Sequence, residues 1–193
     1  PEGPIVLIEG SDNVGGGAPG DATYVLAELL GVTRKSLVLM RDREAVALAL
    51  QAGVGNKLRC LVGGKTDDLH GQPVMIEGTI RALTDGKYVN VGAFMTGQLA
   101  TMGKTAVVEA ENVTLILTEE RVAPFDIAHL WSVGLRAETF HIIVVKSAVH
   151  WRTAFGDVCR KALHVDSPGC CTSNLRYLTY HHLNRPMFPF DEV

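Results

Sequence analysis

A short apolar strand pattern at Ile5–Ile8 leads into a glycine-rich loop, and an amphipathic helix pattern follows directly. The loop covers residues 11–21 with the sequence SDNVGGGAPGD, so that Asp12 and Asp21 flank the glycines. A strand that ends in glycines before a helix exposes backbone amides and the positive end of a helix dipole at one edge of a sheet. Because each extra glycine costs roughly 0.5–1 kcal/mol on folding, three in a row predict that something approaches this backbone closely.

One alternative is a dinucleotide-binding site, because Gly15, Gly17 and Gly20 fit the pattern G-x-G-x-x-G. Asp42, after the next strand pattern, lies where a ribose-binding carboxylate would be expected. Against this function, Asp21 would lie where the pyrophosphate binds and would repel it, and the loop proline removes an amide donor. A purely structural loop, with Asp21 as a helix N-cap, is a second alternative. The aspartates favour a loop that presents carboxylates over one that binds phosphate.

The composition indicates one domain covering residues 1–193, because 47% of the side chains are hydrophobic and no linker interrupts the chain. The apolar runs are far shorter than the roughly 20 residues that span a bilayer, which argues against a membrane partner. Eighteen basic and 21 acidic residues are well mixed, so no basic surface is expected to bind nucleic acid. Four cysteines without C-x-x-C spacing predict reduced thiols in a cytoplasmic protein.

The order of strand and helix patterns predicts the fold class. Strand patterns occur at 5–8, 37–40, 57–62, 74–80, 105–109, 113–118 and 140–145, and helix patterns at 21–30, 43–52, 126–133 and about 148–163. The alternation at the start predicts β-α-β units in a parallel sheet. The neighbouring strand patterns in the middle predict antiparallel hairpins. We therefore expect an α/β fold: a mixed, partly parallel sheet flanked by helices, with an antiparallel hairpin or meander inserted in the middle third.

Groups that could carry chemistry follow three of the predicted strands. The glycine loop follows the first, and two later strands are followed by cationic or titratable side chains: Lys65, Lys146, His150 and Arg152. Because functional groups in α/β sheets collect at the carboxyl ends of strands, we expect these segments to meet in one crevice. The cations would then orient Asp12 or Asp21, or bind a substrate carboxylate. The alternative is a purely structural role, in which these residues form ordinary salt bridges or pack against their neighbours.

Seven segments carry the most characteristic motifs of the chain: 11–21, 52–55, 63–65, 70–71, 144–152, 166–169 and 185–186. In this order they resemble the C-terminal domain of the microcystinase C (MlrC-like) metallopeptidase family. The glycine loop and the segment KSAVHWR at 146–152 are the most specific of them. Val14 departs from the family pattern, which usually has proline at this position, and should loosen the start of the loop without changing its chemistry.

The resemblance implies a domain of a longer enzyme. Members of the family are two-domain proteins, and their zinc ligands and principal catalytic groups lie in the N-terminal domain. The resemblance therefore implies that this chain binds no zinc itself, is inactive alone, and has that N-terminal domain and a peptide or amide substrate as partners. A dinucleotide-binding domain and a non-catalytic assembly module remain the alternatives, and homo-oligomerisation stays open.

The resemblance also implies functions for particular residues. Catalytic groups facing the cleft are expected at Asp12, Asp21 and His150. Substrate-binding groups are expected at Asn13, Gly15, Gly16, Gly17, Lys65, Lys146 and Arg152. No metal ligand is expected in this chain.

Overall fold

The computed structural model describes residues 3–192, and ten strands and four α-helices are present in that range. The strands are β1 (Ile5–Ile8), β2 (Ser36–Arg41), β3 (Lys57–Val62), β4 (Val74–Thr84), β5 (Lys87–Val89), β6 (Leu99–Thr101), β7 (Thr105–Ala110), β8 (Val113–Thr118), β9 (Ile142–Val145) and β10 (Lys161–His164). The helices are α1 (Tyr24–Leu29), α2 (Arg43–Ala52), α3 (Ala128–Trp131) and α4 (Trp151–Phe155).

Eight strands form one mixed sheet in the order β10-β1-β9-β2-β8-β7-β4-β3, and β5 and β6 form a separate pair. The first five strands of this order are parallel to one another, whereas β7, β4 and β3 are joined by antiparallel pairing. All six residues of β8 are buried, as expected for a strand covered on both faces. The predicted α/β fold with a mixed, partly parallel sheet is confirmed.

Local patterns predicted α2 and the β7–β8 hairpin well. The Asp42 carboxylate caps α2 by accepting a hydrogen bond from Ala45 N (3.0 Å), and the helix ends before Gly53, whose φ is +85°. Both features are common end signals of helices. In the hairpin, β7 and β8 pair from Thr105 opposite Thr118 to Ala110 opposite Val113.

The structure corrects the prediction of a β-α-β unit from β2 to β3. Within residues 3–192, β3 pairs only with β4, and that pairing is antiparallel. Buried and exposed residues alternate along β3, and its buried residues pack in one core cluster with α2. A strand that is apolar on one face is suited to the edge of a sheet, whereas an internal parallel strand is apolar on both faces.

The two halves of β4 pair with different strands, and the end of β3 lies close to the end of β2. Residues 74–79 pair with β3, residues 79–84 pair with β7, and the register is irregular between Ile80 and Ala82. In a flat sheet Val62 would lie far from the end of β2. Instead Gly63 N donates to Asp42 Oδ2 at 2.9 Å, so the residues that directly follow β3 and β2 meet.

Two predicted helices differ from the structure. The helix expected over about 148–163 is wrong beyond residue 155, because Lys161–His164 forms β10 and pairs with the outer edge of β1. Strand pairing here outweighs the local helical pattern. The helix expected from Asp21 begins only at Tyr24, since Ala22 N and Thr23 N donate to the Asp12 carboxylate and to His70 O. Asp21 is therefore not the N-cap of α1.

In the described part of the chain, no helix has both the length and the hydropathy needed to cross a membrane.

Candidate functional site

The glycine loop lies at the carboxyl edge of the parallel strands, with buried ends and an exposed tip. Its start is fixed to the neighbouring strand, because Glu9 N donates to Val145 O (3.0 Å) and Val14 N donates to Lys146 O (3.2 Å). Residues 15–17 are exposed, whereas residues 11–12 and 18–21 are buried. Gly17 has a φ of +100°, a conformation that favours glycine. The loop therefore presents a rigidly anchored backbone tip to solvent.

A buried ion cluster, formed by Glu9, Asp12 and Lys146, anchors the glycine loop. Lys146 Nζ lies 2.6 Å from Glu9 Oε2, 2.9 Å from Asp12 Oδ2 and 2.8 Å from the backbone oxygen of Ala22. The three charged side chains are at most 2% exposed. Burial alone would lower the pKa of Lys146, but the charges of Glu9 and Asp12 outweigh it and raise that pKa above its ordinary value. Lys146 therefore stays protonated and binds both carboxylates.

Glu9, which binds Lys146, was not predicted as a site residue from the sequence. Burial raises the pKa of Glu9, and the nearby Lys146 ammonium opposes that shift. Its second carboxylate oxygen, Oε1, is buried and has no hydrogen-bond partner among the described residues. A glutamate at the end of an apolar strand was the available signal, because an unpaired buried charge is costly and requires a cation nearby.

Asp12 does not face solvent as we expected. Its side chain is fully buried, and its two oxygens accept hydrogen bonds from Gly20 N and Ala22 N, each at 2.7 Å, in addition to the contact with Lys146. A carboxylate removed from water needs such partners, and these partners hold the two ends of the loop together. The predicted contact between Lys146 and an aspartate exists, whereas a catalytic function of Asp12 stays a prediction.

Asp21 joins the glycine loop to the segment after β3. Its Oδ2 atom accepts hydrogen bonds from Lys65 N, Thr66 N and Thr66 Oγ1 at 2.8–3.1 Å, and its backbone oxygen accepts one from Gly64 N. Its other carboxylate oxygen, Oδ1, is buried without a partner in the described part of the chain. Asp21 also lines a cavity of about 200 Å³ with Arg41 and Thr66. Of the two predicted carboxylates, Asp21 is the one with an unused oxygen.

Lys65 is engaged on the α2 side of this edge. Its ammonium lies 3.0 Å from Asp42 and 2.9 Å from Glu44. Burial lowers the pKa of Lys65, but the hydrogen bonds to these two carboxylates outweigh it and leave the pKa raised. Because Asp42 also caps α2 and binds Gly63 N, its oxygens are not free for a ribose. The geometry therefore disfavours the dinucleotide alternative.

Replacing Asp42 by alanine should lower the free energy of unfolding by about 2 kcal/mol. The loss combines a helix cap with a buried Gly63 N–H that no longer has an acceptor. Urea unfolding measures this change, and Asp157→Ala is the matched control because Asp157 is exposed and makes no hydrogen bond with the described residues. Equal losses in the two variants would contradict the prediction.

His70 connects three segments and was not among the predicted site residues. Its ring is fully buried, with Nδ1 2.7 Å from Asp67 Oδ1, while Nε2 accepts a hydrogen bond from Cys170 N at 3.3 Å. Its backbone oxygen accepts one from Thr23 N. An acceptor at Nε2 places the proton on Nδ1, which donates to Asp67. The motif at 70–71 was the available sequence signal. In the structure Gly71 has a φ of +87°, and a Cβ atom at this position would collide with Thr23.

His150 and Arg152 lie away from the buried ion cluster. The exposed His150 ring stacks on Phe94 with centroids 6.0 Å apart, and a Cβ atom at Gly15 would lie 3.7 Å from its Nδ1. The Arg152 guanidinium lies over the ring of Trp151 at 5.6 Å. The predicted set therefore separates into buried anchors and exposed side chains, of which His150 lies beside the loop tip. Catalytic and substrate-binding functions of these residues stay predictions.

Whether the described residues fit a metal ion depends on the donor set that such an ion requires. Across residues 3–192, no group of three His, Cys, Asp or Glu side chains has the geometry to hold one. Near the loop, His70 uses both ring nitrogens and Asp12 uses both oxygens in the contacts above. No metal-dependent step is assigned to these side chains.

The chain is similar over nearly its whole length to known proteins. A family model described as MlrC C-terminus matches residues 7–182. Microcystinase C from a Sphingomonas species is 30% identical over 192 residues, which are 98% of this chain and 36% of that protein. A crystal structure of a candidate metallopeptidase from Mesorhizobium sp. BNC1 matches with a TM-score of 0.88 at 28% identity, over 100% of this chain and 39% of the other. The chain thus spans less than two fifths of the length of these relatives.

Proposed function

The chain belongs to the MlrC C-terminus family, and from this premise we propose that it is the accessory domain of a metallopeptidase whose glycine loop forms one wall of the active-site cleft. The metal, which we propose to be zinc, and the main catalytic groups would lie in the further region that the longer relatives contain. The substrate would be a peptide or a related amide. A single domain over residues 1–193 and a cytoplasmic location stay predictions.

The observation that carries this proposal is that the exposed tip of the glycine loop is anchored by a buried ion cluster. Residues 15–17 are exposed, while Glu9, Asp12 and Lys146 below them are almost completely buried. Three buried charges are a costly way to hold a surface loop, because hydrophobic packing would serve equally well for stability. Holding a backbone within a fraction of an ångström is a requirement of a binding or catalytic surface. The buried anchors are positioning residues in this proposal.

Apolar side chains beside the loop support contact with another domain. Phe94 is 46% exposed, Met95 43% and Val149 58%, and Phe94 and Val149 flank the exposed His150. The loop that carries Phe94 and Met95 is fixed at its start, because Asp126 Oδ2 accepts hydrogen bonds from Val91 N and Gly92 N. An ordered apolar surface beside a functional loop is typical of an interface. In the full-length protein we expect the metal-bearing region to cover it, with His150 at the cleft.

Activity should depend on both parts of the protein. We expect the full-length protein loaded with zinc to hydrolyse peptide substrates, and the isolated 193-residue chain to show none of this activity. Removal of the metal by a chelator and its restoration by added zinc provide the matched control. The readout is the appearance of new peptide amino groups.

Two outcomes would contradict the proposal. Hydrolysis by the isolated chain would show that it contains the catalytic groups itself. A zinc-loaded full-length protein that cleaves no peptide or amide would instead support the assembly-module alternative, in which the loop serves only to dock another domain.

A further inference from the structure

A second polar feature lies beside the glycine loop, and His150 is not among the residues that line it. A cavity of about 380 Å³ separates the loop from the segment that follows β8, and it is lined in part by Gly17, Arg41, Arg43 and Arg121. Arg41 is the last residue of β2, and Arg121 lies three positions after the end of β8. Because β2 and β8 are parallel neighbours, with Arg41 opposite Thr118, their ends bring these arginines to one edge.

Within residues 3–192, Arg41 and Arg121 contact backbone oxygens and no carboxylate. The Arg41 Nε atom donates to Glu119 O at 3.3 Å, and Arg121 Nη1 donates to Gly17 O at 3.2 Å. Both contacts are to backbone oxygens, and neither arginine has a carboxylate within 4.0 Å among residues 3–192. Arg43 differs, because its Nη2 atom lies 2.7 Å from Glu120. Two guanidinium groups therefore border the cavity with unused donors.

The acidic groups that line the same cavity are already engaged. Glu120 binds Arg43, and Asp67 binds His70 Nδ1 and accepts hydrogen bonds from two backbone amides. Desolvation and the adjacent Cys171 thiol raise the pKa of Cys170 to about 11, so Cys170 adds no negative charge near neutral pH. Three arginines against two paired carboxylates leave the cavity with uncompensated positive charge.

Asp21 lines a neighbouring cavity that Arg41 and Arg43 also line. The smaller cavity beside Asp21 is also lined by Arg41, Arg43 and Thr66, so the two cavities share one wall. Asp21 Oδ1 is one of the buried oxygens that have no hydrogen-bond partner among residues 3–192. A peptide carboxylate has the matching chemistry, because it accepts hydrogen bonds from guanidinium groups.

We propose that Arg41 and Arg121 bind a carboxylate of the peptide substrate, either its C-terminal carboxylate or an acidic side chain. This inference rests on the proposed function and specifies its substrate class. Arginine suits the task because its planar group binds a carboxylate through two parallel hydrogen bonds. The contact of Arg121 with Gly17 O links the subsite directly to the glycine loop.

Calorimetric titration of the metal-free full-length protein tests this subsite, because without metal a catalytic ion cannot bind the carboxylate. Two pairs of probes separate the sources of the carboxylate: acetyl-Ala-Ala with a free C-terminus against its amide, and acetyl-Ala-Glu-amide against acetyl-Ala-Gln-amide. We expect one acid to bind at least about 10-fold more tightly than its neutral partner, as a charge-assisted pair of hydrogen bonds should provide. The pair that shows the difference identifies the source.

Variants connect this preference to the two arginines. Arg41→Gln and Arg121→Gln should each reduce the preference for the acid, whereas Arg59→Gln should leave it unchanged. Arg59 is the matched control because it is an exposed arginine on β3, with its nearest carboxylate 3.8 Å away. Arg41→Lys and Arg121→Lys retain the charge and should keep part of the preference, which separates lost binding from lost folding.

Three results would overturn the inference: equal binding of acids and neutral partners, no binding up to about 10 mM, or a preference that survives in both glutamine variants. These failures differ from a failure of the proposed function. A full-length enzyme that hydrolyses peptides without any carboxylate preference removes this inference alone. A protein that binds acids through these arginines but cleaves no peptide removes the proposed function alone.

Discussion

Lys146→Met is expected to lower the free energy of unfolding by about 3–5 kcal/mol, the cost of leaving buried carboxylates without their cation. In the wild-type structure one ammonium binds Glu9 and Asp12, and all three side chains are almost completely buried. Methionine has a similar volume, so the loss would report the missing charge and not a cavity. Urea unfolding at neutral pH measures it.

The matched control for this variant is Lys57→Met, at the exposed start of β3, which forms no ion pair with the described residues. We expect a change within about 0.5 kcal/mol at this surface position. Adding Glu9→Gln to Lys146→Met should recover part of the stability, because it removes one of the two unpaired charges. A loss in Lys146→Met no larger than in Lys57→Met would contradict the buried ion cluster as the anchor of the loop.

Under the proposed function, Asp12→Asn in the metal-loaded full-length protein is expected to lower kcat/KM by about 100-fold, the typical cost of misplacing a catalytic surface by about an ångström. The Asp12 oxygens accept from Gly20 N, Ala22 N and Lys146. Asparagine has one acceptor oxygen and adds an NH₂ donor that would face one of these donors. The ends of the loop should therefore shift while the remainder of the fold persists.

A positioning function differs from a purely structural one in what it changes. We expect Asp12→Asn to lower kcat more than it raises KM, with unchanged zinc content and a protein that stays folded at the assay temperature. Asp157→Asn is the control for the same chemical change at an exposed site. Wild-type kcat/KM in a destabilised Asp12→Asn protein would show that the residue serves stability only.

Sequence patterns predicted the elements whose signals are local. The end signals of α2 lie within or beside the helix, and both strands of the β7–β8 hairpin are adjacent in sequence. The family was also identified from motifs that follow one another along the chain, and this prediction is confirmed by the match over residues 7–182. Local signals failed at 161–164, where the open edge of β1 determines that the segment is a strand.

The candidate site was predicted less completely, for a physical reason. The glycine loop was located from its strand and helix patterns, but whether Asp12 faces solvent depends on Lys146, which lies 134 positions later and contacts it only in the fold. Arg41 and Arg121 were not singled out, because nothing near either residue indicates that the other shares its cavity. Residues that meet only in the folded protein leave no local sequence pattern from which their contact could be predicted.

The amino-acid sequence alone determined the α/β class, the family and the location of the glycine loop, because these depend on periodicity, glycine and short motifs within a few residues of one another. Only the tertiary structure decided which charges are buried as anchors and which are exposed. The cost of removing an ion from water depends on all the groups packed around it, and those groups come from strands that the fold, not the order of the chain, places side by side.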